Sequence, residues 1–357
     1  MGRIDHAHQQ HPITPSTWVR APLSRGLPAT QAASGVPLPR SLNDHPSKSP
    51  RLGAGRLHPP ERPSPAKPQK TYSREVIPAH AGELEKILEQ TLETFGILQQ
   101  TEHNASVIDH SDDTDFLKQL SAVEARRIHE LLGKDKTLEG KINKEKGAFQ
   151  DHATGLYFEI HTKKQKKAEL PAYVVAFPGT GIPGMIGTQW TNNIRQITGR
   201  GGVPPAYRQA EQLIAQITLH LPPGATLELT GHSLGGGIAN YAGLKHDLPS
   251  TCFNAAALGK GCLEDLGDIP RDRLEKQLHL RIKSDWMSSA RVLKKIQTLS
   301  SSLIPYAPRQ VGKVYTLPNK HAGSLDFRDQ HVSAAFRDFY EPKKTTNIPF
   351  MSPDGFA

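Results

Sequence analysis

The segment Gly231-His232-Ser233-Leu234-Gly235 limits the fold more than any other stretch of the chain. A G-x-S-x-G pattern fits where a buried strand turns abruptly into a helix, because side chains at the flanking positions would collide in so tight a turn. The surroundings agree. Leu227 to Thr230 reads as a strand before the turn, and Leu234, Ile238 and Ala239 open an apolar helix face after it. A serine there exposes its hydroxyl above the sheet. The following helix aims its N-terminus and the Leu234 N–H at any negative charge that develops nearby. The competing reading makes Ser233 a capping serine on a glycine-rich helix; the strand on one side and the apolar helix on the other favour a nucleophile.

The rest of the chain repeats that strand–helix alternation. From about Gly155 onward, strands are expected over Leu156 to His161, Ala172 to Phe177, Thr226 to Thr230, Thr251 to Asn254 and Leu278 to Ser284. A charged exposed turn is expected over Lys163 to Lys167. Tyr207, Ala210, Ile214, Ile217 and Leu221 share one helical face. Such alternation specifies an α/β fold, a largely parallel central sheet flanked by helices. Ahead of it, two amphipathic helices are expected. Leu84, Ile87, Leu88, Leu92, Phe95 and Leu98 form one stripe, and Phe116, Leu117, Leu120, Val123, Ile128 and Leu131 form the other, with Gly133 to end it.

Composition divides the chain further. Residues 1–70 hold thirteen prolines, ten Lys/Arg and three Asp/Glu, a net charge of +7, and no periodic apolar pattern. Such a segment buries too little surface to offset its ordering entropy, so the sequence predicts a disordered tail. The remaining 34 basic and 32 acidic residues leave the rest of the chain nearly neutral, which argues against a nucleic-acid face. The expected layout is therefore a tail over 1–70, a helical segment over 71–150 packing on the core, and the main α/β domain over 151–357. Cys252 and Cys262 cannot build a disulfide framework. No apolar run has the length of a membrane span, and Arg3 is followed by no apolar stretch of the secretory type. Met1-Gly2 is not followed by Ser or Thr at position 6, which is His6, so N-myristoylation is not expected.

Candidate partners for Ser233 follow from chain order and strand ends. Asp285 stands at the end of the strand carrying Leu278, Leu280 and Ile282, where a carboxylate can orient an imidazole or cap a helix. Glu264, Asp265 and Asp268 read as solvated loop. His321 and His331 both lie downstream as candidate bases. Thr180, at the turn after Val174 to Phe177, is a candidate oxyanion donor with Leu234, or else an ordinary turn residue. Gly181 to Gly187 reads as an apolar flexible loop that closes the site, touches lipid, or is plain surface. No cluster has metal-ligand spacing and no cofactor is expected.

With those residues in view, the stretch LELTGHSLGGGIANYAGL resembles the nucleophile segment of the class 3, fungal-lipase-like α/β-hydrolases. YVVAFPGTG resembles their oxyanion strand, TCFNAAALG the strand after the nucleophile helix, and LRIKSDWMSS the strand that delivers the acid. Trp190 stands where that family often has a tryptophan. HVSAAFRDFY resembles the segment of the catalytic histidine, which favours His331 over His321. The resemblance runs from about Gly155 to Tyr340 and departs from the family at Pro178, Gln189 and Ala256. It implies an α/β-hydrolase fold and a serine ester hydrolase with the triad Ser233, Asp285 and His331, acting on acyl lipid or membrane phospholipid without a cofactor. The layout also resembles lipase-domain type III secretion effectors of plant-pathogenic bacteria, which implies export without a cleavable signal peptide, delivery into a host cell and host membrane contact; a cytoplasmic enzyme is the alternative. Two other functions stay open. One is a membrane module that binds phosphoinositide or other lipid on a lipase fold, using the basic tail with Arg291, Lys294 and Lys295. The other is a carboxylesterase or thioesterase for small soluble esters.

Overall fold

The computed structural model describes residues 73–78, 81–106, 127–143, 147–163, 170–199, 201–283, 285, 308–319, 331 and 333–340. The tail over 1–70, most of the second expected helix, the charged turn beyond Lys163, His321, and the basic residues Arg291, Lys294 and Lys295 lie outside the described residues.

Among the described residues nine strands make one sheet: β1 (Ser73–Val76), β2 (Ile142–Asn143), β3 (Ala148–Asp151), β4 (Leu156–Thr162), β5 (Ala172–Phe177), β6 (Thr226–His232), β7 (Ser250–Phe253), β8 (Gln277–Ile282) and β9 (Gly312–Leu317). Their order across the sheet is β1-β9-β8-β7-β6-β5-β4-β3-β2. Pairs from β5 through β9 and on to β1 are parallel, and β4, β3 and β2 add antiparallel strands beyond β5. The sheet is thus largely parallel, with a mixed edge that the sequence did not announce. β1, β2 and most of β3 also put strands into the segment 71–150, where only helices were expected.

Helices flank the sheet: α1 (Ala81–Asn104), α2 (Ile128–Leu132), α3 (Ile186–Thr198), α4 (Pro205–His220), α5 (Ser233–His246), α6 (Lys260–Leu266), α7 (Arg271–Glu275) and α8 (Arg337–Tyr340). Strand alternation explains why helices are needed on both faces. On β5, Tyr173, Val175 and Phe177 join Leu227 and Leu229 of β6 beneath α4 and α5, where Tyr207, Ile214, Ile217 and Ile238 complete the core. The intervening Val174 and Ala176 point the other way, onto Ile97 of α1. A strand buried on both sides needs apolar residues at nearly every position, which is the run the sequence has. Pro205 opens α4 at its first turn, where a missing N–H costs nothing.

The apolar stripe of α1 packs as expected. Leu88, Phe95 and Leu98 meet Phe253, Leu280, Ile282 and Leu317 of the sheet and Phe336 and Tyr340 from the chain's last described segment. Phe95 is fully buried, stacked on Tyr340 at 4.4 Å between ring centroids and tilted against Phe253 at 5.3 Å. A mixed sheet crossed by helices on both faces, with the strand–serine–helix turn at its middle, is the α/β-hydrolase arrangement. Its β5 to β9 progression matters for function. Each crossover steps one strand further along the sheet, so the C-terminal ends of successive parallel strands line one edge, where α/β proteins form their sites. Phe95→Ala should lower unfolding free energy by about 3–5 kcal/mol in chemical denaturation, as loss of a fully buried ring does; a loss below about 1 kcal/mol would show that α1 does not hold the sheet.

Candidate active site

The last residue of β6 is His232 and the first of α5 is Ser233, with no loop between them. So sharp a change of direction puts Ser233 at φ +52°, a left-handed conformation that non-glycine residues seldom adopt. Its neighbours must then be very small. A Cβ on Gly231 would lie 2.3 Å from the Gly235 carbonyl oxygen, and one on Gly235 would lie 2.3 Å from the Phe177 carbonyl oxygen. The Ser233 carbonyl accepts the Ala256 N–H at 2.8 Å, which ties the turn to the chain after β7.

Asp285 and His331 meet this serine. Asp285 lies three residues beyond β8, fully buried, its own N–H bonded to the Ile282 carbonyl. His331 Nδ1 is 2.7 Å from Asp285 Oδ1, and its Nε2 is 2.7 Å from Ser233 Oγ. A carboxylate only accepts, so Nδ1 carries the proton and Nε2 presents its lone pair to the serine hydroxyl. The three residues come from positions 98 and 46 apart in the chain, joined because β6 and β8 end at the same sheet edge. The Asp285 carboxylate thus lies against the imidazole of His331. Behind His331 the chain makes a 3₁₀ turn over Ser333–Phe336 and then α8.

Thr180 follows β5, whose register pairs Phe177 with Gly231, so it sits at the strand end next to the serine turn. α3 grips this loop. Gln189 Oε1 accepts the Gly181 and Ile182 N–H groups at 3.0 and 3.3 Å, and Asn193 Nδ2 donates to Thr180 Oγ1 at 3.0 Å. Gln189, one of the departures from the class 3 pattern, is therefore the residue that shapes the loop. Neither Gln189 nor Asn193 was legible in the sequence, because α3 has the reverse of ordinary polarity. Its buried side is Gln189, Asn192, Asn193 and Gln196, while Ile186, Trp190 and Ile194 are 47%, 45% and 56% exposed.

The remaining candidates fall elsewhere. Asp265 is on α6, not in a loop, and its carboxylate receives Arg208, Tyr241 and Lys245. Burial works against its charge, yet those three donors hold its carboxyl well below the usual range. Both cysteines are buried and free, and burial pushes their thiols up to about 12, so neither offers a thiolate. Among the described residues, no group of three or more His, Cys, Asp or Glu is placed to hold a metal ion, and no helix is long and apolar enough to cross a membrane. Gly235→Ala should cost about 1–3 kcal/mol, because its methyl group has to displace the end of β5; denaturation at parental stability would mean the serine turn and β5 are not in contact.

Comparison with known proteins follows the same direction. Over 98 residues the chain is 38% identical to an extracellular phospholipase A1 of Serratia liquefaciens, covering 28% of this chain and 28% of that protein. The chain thus spans little more than a quarter of the length of this curated relative. Among solved structures, the extracellular lipase LipA of Serratia marcescens matches at 14% identity and a TM-score of 0.38, covering 62% of this chain and 39% of LipA. Carboxyl esterase 2 of the mycorrhizal fungus Tuber melanosporum matches at 14% identity and a TM-score of 0.26, covering 52% of this chain and 81% of the esterase. The sequence profile of a phospholipase-like family, described as a Tle-like phospholipase domain, matches residues 120–311, more than half of the chain. The serine turn and the β5-to-β8 progression that carries it lie inside that match, and the chain belongs to this phospholipase-like family.

Proposed function

We propose that this protein is a serine ester hydrolase of acyl lipids, with Ser233 as nucleophile, His331 as base and Asp285 as the acid that orients it. The observation that carries this reading is the unbroken hydrogen-bonded series from Asp285 through His331 to Ser233 Oγ, each link 2.7 Å long. In this mechanism Ser233 Oγ attacks the ester carbonyl carbon while its proton passes to His331 Nε2. The carbonyl oxygen becomes an oxyanion held by the Thr180 and Leu234 N–H groups. The ester C–O bond then breaks, and His331 returns the proton to the departing alkoxide. Water attacks the acyl-serine, again giving its proton to Nε2, and collapse frees the carboxylic acid and restores Ser233. Membership of a phospholipase-like family supports a phospholipid as the ester.

A lipid surface is favoured over small soluble esters by α3. The helix whose amides turn inward to hold the Thr180 loop carries its isoleucines and tryptophan on its outward face as an apolar stripe. Exposed apolar side chains so grouped fit lipid contact. In this reading the lipid contact considered for the Gly181 to Gly187 loop extends along α3, which begins at Ile186 within that stretch. The reading extends to work outside the producing cell, including delivery into a host, supported by the extracellular phospholipase A1 relative and the basic Pro-rich composition of residues 1–70.

Ser233→Ala should abolish fluorophosphonate labelling and cut hydrolysis of p-nitrophenyl esters by at least about a thousandfold, with the thermal midpoint kept. His331→Ala should lose orders of magnitude in acylation rate, whereas His321→Ala should stay within about twofold. The reverse pattern would make His321 the base, a fully active Ser233→Ala would overturn Ser233 as nucleophile, and a parent protein that neither labels with fluorophosphonate nor hydrolyses esters would favour the lipid-binding module. Separately, replacing Ile186, Trp190 and Ile194 together by serine should lower turnover on phospholipid vesicles by about tenfold and leave a soluble short-chain ester within about twofold. Equal losses on both substrates would remove the interfacial role of α3.

A further inference from the structure

His232 fills the variable position of the G-x-S-x-G turn, and nothing in the acyl-transfer chemistry above uses it. Its side chain is almost fully buried on the α1 side of β6. Nδ1 lies 2.8 Å from Glu102 Oε1, near the end of α1, and Nε2 lies 2.6 Å from the main-chain carbonyl oxygen of His331. A carboxylate and a carbonyl oxygen both accept and neither donates. For both contacts to be hydrogen bonds, each ring nitrogen must carry a hydrogen, so His232 is an imidazolium.

His279 provides the contrast. It is equally buried, with Nε2 on the Val311 carbonyl at 3.0 Å. Burial, with Arg281 adding to it, pushes that histidine down to about 4 and keeps it neutral. Burial opposes charge on His232 as well, but the Glu102 carboxylate against Nδ1, helped by the His331 carbonyl and by Asp285, raises its pKa instead.

Glu102 does more than balance this charge. Its Oε1 also accepts the Gly179 N–H at 3.2 Å, from the residue just before Thr180, and its Oε2 accepts Gln99 Nε2 at 3.3 Å. Gly179 has to be glycine here, since a Cβ would stand 2.7 Å from His232 Nδ1. The His331 carbonyl takes a second donor, Asn254 Nδ2 at 3.2 Å, from the residue just after β7. We propose that His232 and Glu102 are positioning residues: a buried ion pair in which the imidazolium fixes the main chain of the base His331 and the carboxylate fixes the oxyanion strand at Gly179. One carboxylate on α1 thereby aligns both halves of the catalytic apparatus against the serine turn between them.

This rests on His331 being the base, and the test separates the two ideas. In the full-length protein near neutral pH, long-range 1H–15N NMR of the histidine rings should show both nitrogens of His232 protonated. In Glu102→Gln, which keeps shape and loses charge, one of them should lose its proton. On a soluble ester, Glu102→Gln and Glu102→Ala should lower kcat by about 10- to 100-fold with KM within about twofold, because a slightly misplaced base slows the chemistry without weakening ester binding. The glutamine variant should retain more activity than the alanine variant. A neutral tautomer of His232 in the parent protein overturns the proposal, as does a Glu102→Gln variant whose thermal midpoint falls while kcat holds. If instead His331→Ala keeps its activity, the assignment of the base has failed, and the NMR result still reports the ion pair on its own.

Discussion

Everything at the active edge of the sheet depends on how closely the backbone of the serine turn approaches the end of β5. With Ser233 held at φ +52°, the first turn of α5 lies against the Phe177 and Pro178 carbonyls, and Gly235 supplies the room. That contact sets the spacing between Ser233 and the loop carrying Thr180. The positions of Asp285 and His331 then follow from the order of the sheet. β8 delivers Asp285, and the segment after β9 delivers His331, because consecutive parallel strands advance one place at a time along one edge. The strained residue is held because the apolar core around Leu227 and Leu229 on one face of β6, and the hydrogen-bonded Thr230 and His232 on the other, over-determine it.

Beneath that edge the protein buries an unusual amount of polarity. The last turns of α1 carry Gln99, Thr101 and Glu102, all buried, and β4 answers with Glu159 and His161. Glu159 accepts from Tyr157 and from Asn104, and lies 2.9 Å from His161 Nε2. Buried polar groups are tolerated only when their hydrogen bonds are made, and a network of this kind fixes one arrangement where an apolar interface would allow sliding. α1 therefore has two roles along its length. Its Leu88 to Leu98 stripe anchors it to the sheet, and its polar end reaches His232 beside the serine turn.

α3 shows where pattern reading loses its grip. Periodicity identifies a helix when apolar residues face the core, and the stripe of α4, from Tyr207 to Ile217, was visible for that reason. In α3 the core side is amide and the solvent side is Ile186, Trp190 and Ile194. The same period is present with its sign reversed, and the glycines and proline ahead of it suggest only a loop. A helix of this polarity is unfavourable in water unless something else covers it, which is why its placement next to the oxyanion strand bears on the substrate.

The sequence alone determined the strand–helix alternation, the serine turn and the candidates Asp285 and His331, because these rest on local rules: alternation on strands, glycine where no Cβ fits, and residues at strand ends. It left His321 and His331 both open on spacing alone, and favoured His331 only through resemblance to a family. It also gave no sign of a role for Glu102, Asn193 or Asn254, and marked Gln189 only as a departure from the family pattern. Tertiary structure decided those. Glu102 is 130 residues from His232 and 77 from Gly179, and whether a glutamate faces water or a buried imidazole depends on which helix crosses which strand. No local rule encodes that choice, since it follows from how α1 packs across β5 and β6 once the whole sheet has formed.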